Sequence, residues 1–151
     1  MEQTKALNVY LANLAVWNVK LHNIHWNVQG PFFAAIHAYT EKLYDQVFEA
    51  YDEVAEILKM RGEMPLATMK SYLEVATMKE TEARVYPCCE ANAIVEADIQ
   101  FMLEQATAIR NAAAKADDFQ VQGTFEGFID GFKKELWFLR SMKRTDKECS
   151  L

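Results

Sequence analysis

The chain has few of the residues that interrupt helices. Five glycines and three prolines in 151 residues leave little room for long loops. Cysteine is scarce too, at three, and Cys88 and Cys89 are adjacent, an awkward pair to bridge. No zinc-type cysteine spacing occurs, so the three, Cys149 included, read as free thiols of a reducing cytoplasm. No window of about 18 consecutive apolar residues exists, which excludes a spanning helix. A secretory leader is also missing, because Met1 to Lys5 runs straight into an amphipathic pattern interrupted by Asn8, Asn13 and Asn18. Positive charge is the minority sign: 16 Lys and Arg against 22 Asp and Glu give a net charge of −6. Six residues with a single lysine precede Leu7, so no basic tail offers phosphate contacts, and duplex DNA is not an expected partner. An acidic balance instead suits a protein that attracts cations.

What is present is helical periodicity. At 151 residues one domain is expected, able to bury roughly 70% of its unfolded surface. A first helix spans about residues 7–28, with Leu7, Leu11, Leu14, Leu21 and Val28 on one row and Val9, Ala12, Val16, Val19 and Trp26 on a second. Two apolar rows imply burial on more than one side, as in an oligomer. A second helix runs from about Ala34 to Met60, with Ile36, Leu43, Val47, Ala50, Val54 and Ile57 facing the core. Gly62 and Pro65 end it, and Thr68 to Thr77 reads as a short helix in a long connection. Pro87 opens a third long helix with Val95, Ile99, Met102, Ala106, Ile109 and Ala113 as its stripe. Asp117 or Asp118 caps a fourth, reaching about Met142, with Phe125, Phe128, Phe132, Leu136 and Leu139 inward. Gly123, Gly127 and Gly131 recur along it, each costing about 1 kcal/mol against Ala, which reads as close approach at a packed interface.

The chemistry is concentrated between Lys20 and Leu58. That stretch holds His22, His25 and His37, together with Glu41, Asp45, Glu49, Asp52, Glu53 and Glu56, the mixed N/O donors of a zinc or non-haem iron site. Gly30-Pro31 breaks the helix and folds it back as a hairpin. With the turn centred near Pro31, paired positions sum to about 62, so His25 faces His37. Asp52 and Glu56 share a face at i, i+4. They lie too far along the same helix to join the histidines, since fifteen residues at ~1.5 Å each is roughly 22 Å. Two such helices crossing antiparallel about a twofold axis would bring His37 of one copy to Asp52 of the other, twice by symmetry. The spacing points to a site between subunits.

These residues resemble a known family. His22-x-x-His25-Trp26, Gly30-x-x-Phe33-x-x-x-His37 and Asp52-x-x-x-Glu56, with Gly62-x-x-Pro65-Leu66 and Glu135-Leu136-Trp137-x-Leu139-Arg140 further on, look like the Dps family, the miniferritins. The resemblance covers nearly the whole chain. It implies an all-α, ferritin-like four-helix bundle with a short extra helix between the second and third long helices. It also implies ferroxidase sites at a twofold interface, with His25, His37, Asp52 and Glu56 as ligands and Glu41 as an additional candidate. The family forms a hollow dodecamer that oxidises ferrous iron with hydrogen peroxide or dioxygen and stores ferric mineral. The cell is protected against oxidative damage, here in the cytoplasm. One departure stands at Gly123, where the family often carries an acidic residue at the iron-entry pore; Asp117, Asp118, Glu126 and Asp130 are nearby substitutes.

Three other readings compete. A ferritin-type site inside the bundle needs Glu-x-x-His on two helices, and this sequence contains no Glu-x-x-His. A zinc hydrolase using His22, His25 and His37 is sterically possible but leaves Asp52 and Glu56 without a role. A non-enzymatic, DNA-protecting shell would need no reaction at all. His22 reads better as a structural histidine than as a ligand, and Trp26 either quenches stray oxidising equivalents or packs in the interior.

Overall fold

The computed structural model describes residues 2–143, so Cys149 lies outside the described part. Four long helices account for most of it: α1 (Glu2–Asn27), α2 (Phe33–Met60), α4 (Cys88–Lys115) and α5 (Phe119–Met142), with the short α3 (Met69–Val75) between the second and third. The only strand pairing among the described residues is parallel and two residues long, β1 (Val28–Gln29) on β2 (Tyr86–Pro87). α1 packs mainly on α2 and α4 mainly on α5, and the two hairpins meet chiefly through α1 and α4.

The breaks fall where backbone chemistry demands them. Gly30 turns the first hairpin at φ +133°, and a Cβ there would come within 2.9 Å of Cys88 Sγ. Gly62 ends α2 in the left-handed region that glycine adopts freely. Thr68 and Ser71 form a reciprocal cap on α3. Asp118, rather than Asp117, caps α5, accepting from the Val121 amide.

All the expected core stripes are buried except Phe128, which is half-buried. The second row of α1 divides: Ala12 and Val16 are buried, whereas Val19 and Trp26 are exposed.

Two of the asparagines that interrupt α1, Asn8 and Asn13, hold the long crossover together with Asn23. Asn8 Oδ1 accepts from the Leu66 amide at 2.9 Å. Asn13, fully buried, accepts from the amides of Thr77 and Met78 at 2.7 and 2.9 Å and donates to Thr77 Oγ1 and Gln105 Oε1. Asn23 donates to the carbonyls of Thr81 and Glu82. A segment with little helix of its own thus has several backbone groups satisfied by α1 side chains, as burial requires. A buried charged pair links the two hairpins, Lys20 Nζ donating to Asp98 Oδ1 at 2.8 Å with both side chains about nine-tenths buried.

The free-thiol expectation fails at one position. Cys88 is buried and free, its Sγ donating to the Gln29 carbonyl, but Cys89 is disulfide-bonded. Neighbouring side chains at the start of a helix diverge: Cys88 turns into the core, and Cys89 is left half-buried at the surface.

Candidate metal centre

The α1–α2 hairpin brings His25 and His37 face to face. Their rings stack with centroids 3.6 Å apart and planes 17° from parallel. Each ring is fixed by the other residue's backbone: His25 Nδ1–H donates to the His37 carbonyl at 2.8 Å, and His37 Nδ1–H to the His25 carbonyl at 2.9 Å. Carbonyl oxygens only accept, so both rings carry a proton on Nδ1, and in the neutral imidazole Nε2 then keeps the lone pair a metal ligand needs. The same register pairs Asn18 with Tyr44, the amide donating to the Tyr44 carbonyl at 2.9 Å. Both pairs have positions summing to 62, the value set by the Pro31 turn.

Thr40 completes this half. Its buried hydroxyl donates to the Ile36 carbonyl and lies 3.1 Å from His25 Nδ1. Nothing in the sequence singled it out; the signal was its place one turn after His37 on the side facing α1. Burial above all holds the His25 pKa below its ordinary 6.5, with the neighbouring His37 and His22 adding to the effect. The Glu41 charge pulls the other way. The ring is therefore neutral at pH 7. Phe33 stacks on the outer histidine at 5.1 Å.

His22 has a different setting. Its Nδ1–H donates to the Asn18 carbonyl at 2.7 Å, and its ring stacks on Tyr44 at 3.8 Å and leans on Trp26. That is a packed histidine. Trp26 itself is 69% exposed, which corrects the expectation of a buried packing role within the chain.

The carboxylates lie elsewhere. Asp52 and Glu56 are exposed, as is Glu41. Asp52 stands fifteen residues beyond His37 on the unbroken α2, roughly 22 Å at ~1.5 Å per residue. Among the described residues, no three His, Cys, Asp or Glu side chains are placed to hold one metal ion. One chain therefore brings His25 to His37 and leaves Asp52 and Glu56 apart from them, and the three-histidine zinc reading finds no converging triad. Beside the acids, Phe48 is exposed as well, an apolar ring in a charged row.

Comparison with known proteins identifies the family. The model of the ferritin-like domain matches residues 4–148. The chain is 34% identical over 140 residues to DNA protection during starvation protein 2 of Bacillus anthracis, covering 91% of this chain and 93% of that one. The chain belongs to the Dps family of ferritin-like proteins. Among solved structures, a Dps protein from Bacillus brevis superposes with a TM-score of 0.88 at 32% identity, covering 93% of each chain. The Dps protein of Vibrio cholerae O1, described as a member of a broad superfamily of ferritin-like diiron-carboxylate proteins, superposes at 0.89 with 25% identity, covering 95% of this chain and 89% of that one. The four-helix bundle with its extra short helix is thus the Dps fold, as the sequence implied. Within this Dps chain no helix among the described residues is long and apolar enough to cross a membrane.

Proposed function

We propose that the chain is a single-domain iron-storage ferroxidase whose sites are shared by two copies. His25 and His37 of one subunit would act with Asp52 and Glu56 of its neighbour, with Glu41 as an outer or second-iron ligand. The carrying observation is the reciprocally fixed histidine pair, with both Nε2 atoms free, on a helix whose acidic pair stands roughly 22 Å away. A half-site this ordered has use for a partner surface, and a twofold contact supplies one twice.

In this reading ferrous iron is the substrate. Neutral imidazoles and carboxylates form a mixed N/O set that suits Fe(II), and the harder oxygen donors favour the ferric product. Two Fe(II) ions held together give one electron each to hydrogen peroxide, whose O–O bond breaks to two hydroxides. A paired transfer releases no hydroxyl radical. Dioxygen is the other candidate oxidant. Twelve copies would close a hollow cytoplasmic shell that stores the mineral, with Val19, Trp26, Phe48 and Trp137, all exposed in the single chain, covered at its contacts. The names of relatives support a second reading, a shell that protects DNA. With a net charge of −6, such protection would act through removal of iron and peroxide rather than through phosphate contacts.

The test uses two assembling variants, His25→Ala/His37→Ala and Asp52→Ala/Glu56→Ala. Each alone should lose rapid Fe(II) oxidation by peroxide while native mass still reports the closed shell. Unfolded together and refolded as an equal mixture, they should recover roughly a quarter of the sites, since some twofold contacts unite intact histidines with intact carboxylates. Mixed shells as slow as either parent would refute a shared site, and a monomer at micromolar concentration would refute the shell.

A further inference from the structure

His25 and His37 face each other across the hairpin, yet they are not held alike. The His37 Nδ1–H has one acceptor among the described residues, the His25 carbonyl at 2.9 Å. His25 Nδ1 has two oxygens in reach, the His37 carbonyl at 2.8 Å and Thr40 Oγ1 at 3.1 Å. Those two oxygens lie 3.0 Å apart, and Oγ1 is also 2.8 Å from the Ile36 carbonyl. A hydroxyl has one hydrogen and two lone pairs, whereas a carbonyl has lone pairs only. Nδ1 therefore carries the hydrogen it shares with the His37 carbonyl and cannot accept another. The Thr40 hydrogen must point at a carbonyl, Ile36 or His37, and Oγ1 turns a lone pair towards Nδ1–H. The His25 ring is thus held by two acceptors at separate points.

One acceptor lets a ring pivot about its hydrogen bond; a second fixes its plane. Thr40 is suited to the task, being fully buried, β-branched and tied by its own hydroxyl to the preceding turn of α2. That tie explains the hydroxyl as a donor and leaves its acceptor side without a role in the helix. Ile36 has no need of it either, since the carbonyl four residues before an amide is already a helix acceptor. We propose that Thr40 is a positioning residue for His25, holding the ring in one tautomer and one orientation so that Nε2 is ready to take a metal ion. Orienting partners of this kind are typically worth roughly 10- to 100-fold in metal affinity. The inference rests on the shared-site reading for the ion that is bound, not for the contact itself.

The test compares the assembled wild type with Thr40→Val and Thr40→Ser. Valine removes the oxygen and leaves His25 Nδ1–H its carbonyl acceptor, so no buried donor is orphaned; serine keeps the oxygen and drops the methyl group. The first readout is solid-state NMR of the metal-free assemblies, labelled with ¹⁵N in the histidine rings, at a pH where imidazole is neutral. With three histidines in the chain, His25→Ala and His37→Ala spectra assign the signals. Thr40→Val should move the His25 Nδ1–H resonance and leave that of His22 in place, and Thr40→Ser should restore it. The second readout is titration with Co(II), a stand-in for ferrous iron, without oxidant. Thr40→Val should bind it roughly 10- to 100-fold more weakly, and Thr40→Ser like the wild type, with native mass unchanged in both. An unmoved His25 resonance in Thr40→Val would overturn the proposal, as would a moved resonance with Co(II) affinity kept. Affinity lost in Thr40→Ser and kept in Thr40→Val would also overturn it, by assigning the effect to methyl packing. A wild type that takes up no Co(II), with the His25 resonance still moved by Thr40→Val, would sink the shared-site reading and uphold the contact.

Discussion

At the α1–α2 turn, His25 and His37 are held by stacking, by each other's carbonyls and by Thr40, whereas fifteen residues along α2, Asp52 and Glu56 stand in the open. The histidine half is finished by its own chain. The carboxylate half is bare side chain on a regular helix, and its geometry waits on whatever covers it. In the site proposed above, the difference would put precision in the rigid half, with the solvated half supplying charge without being committed to one conformer. Phe48 beside the acids is exposed as well.

The sharpest way to break this comparison is to remove each half and read two quantities. Asp52→Ala/Glu56→Ala should lower peroxide-driven Fe(II) oxidation by on the order of 100-fold, about 2.7 kcal/mol, while the chain's unfolding free energy from urea titration changes by no more than ~0.5 kcal/mol. Stopped-flow absorbance and denaturant titration measure the two, and a large loss of stability would show that the acids are structural after all. His25→Ala should differ in kind, losing the oxidation and also costing about 1–3 kcal/mol of stability, because a buried, hydrogen-bonded ring is replaced by a hole. Equal stability of this variant and the wild type would erase the distinction between the halves.

The smallest effect concerns pH. Burial lowers the His25 pKa from 6.5, so protons bind the unfolded chain more readily than the folded one. The corresponding stability is fully present above pH 6.5 and is lost as pH falls from there through the lowered folded value. Denaturant midpoints between pH 7.5 and 5 should show this decline in the wild type and a shallower one in His25→Ala. Identical slopes would mean that the ring titrates as if exposed.

Much of this was legible in the residues. The Gly30-Pro31 break fixed a turn centre, and from it the facing of His25 and His37 followed by counting; Asn18 and Tyr44 obey the same count. Helix ends at Gly62 and Asp118 followed from glycine's positive φ and from side-chain capping. What escaped was whatever depended on contacts far apart in sequence. Asn8 and Asn13 looked like interruptions of an apolar helix because their partners, Leu66, Thr77 and Met78, lie 58 to 65 residues away. Trp26 and Val19 sit in an apolar row, and periodicity does not tell whether a row faces its own core or another molecule. The glycine stripe had the same ambiguity, and only the open space beside each position separated the readings.

The Lys20–Asp98 pair has a consequence for how the chain finds its fold. Each helical hairpin joins helices close in sequence, whereas docking of one hairpin on the other joins distant segments, chiefly through α1 and α4. Apolar faces alone would tolerate a slip of one turn, since leucine against alanine or isoleucine is much the same a turn further on. The buried charges do not tolerate it: a slipped docking strands a lysine or an aspartate in an apolar interior, at a cost of several kcal/mol. Against an apolar pair of the same size the ion pair adds little to the native state. It works as a register key, and its worth lies in the assemblies it forbids.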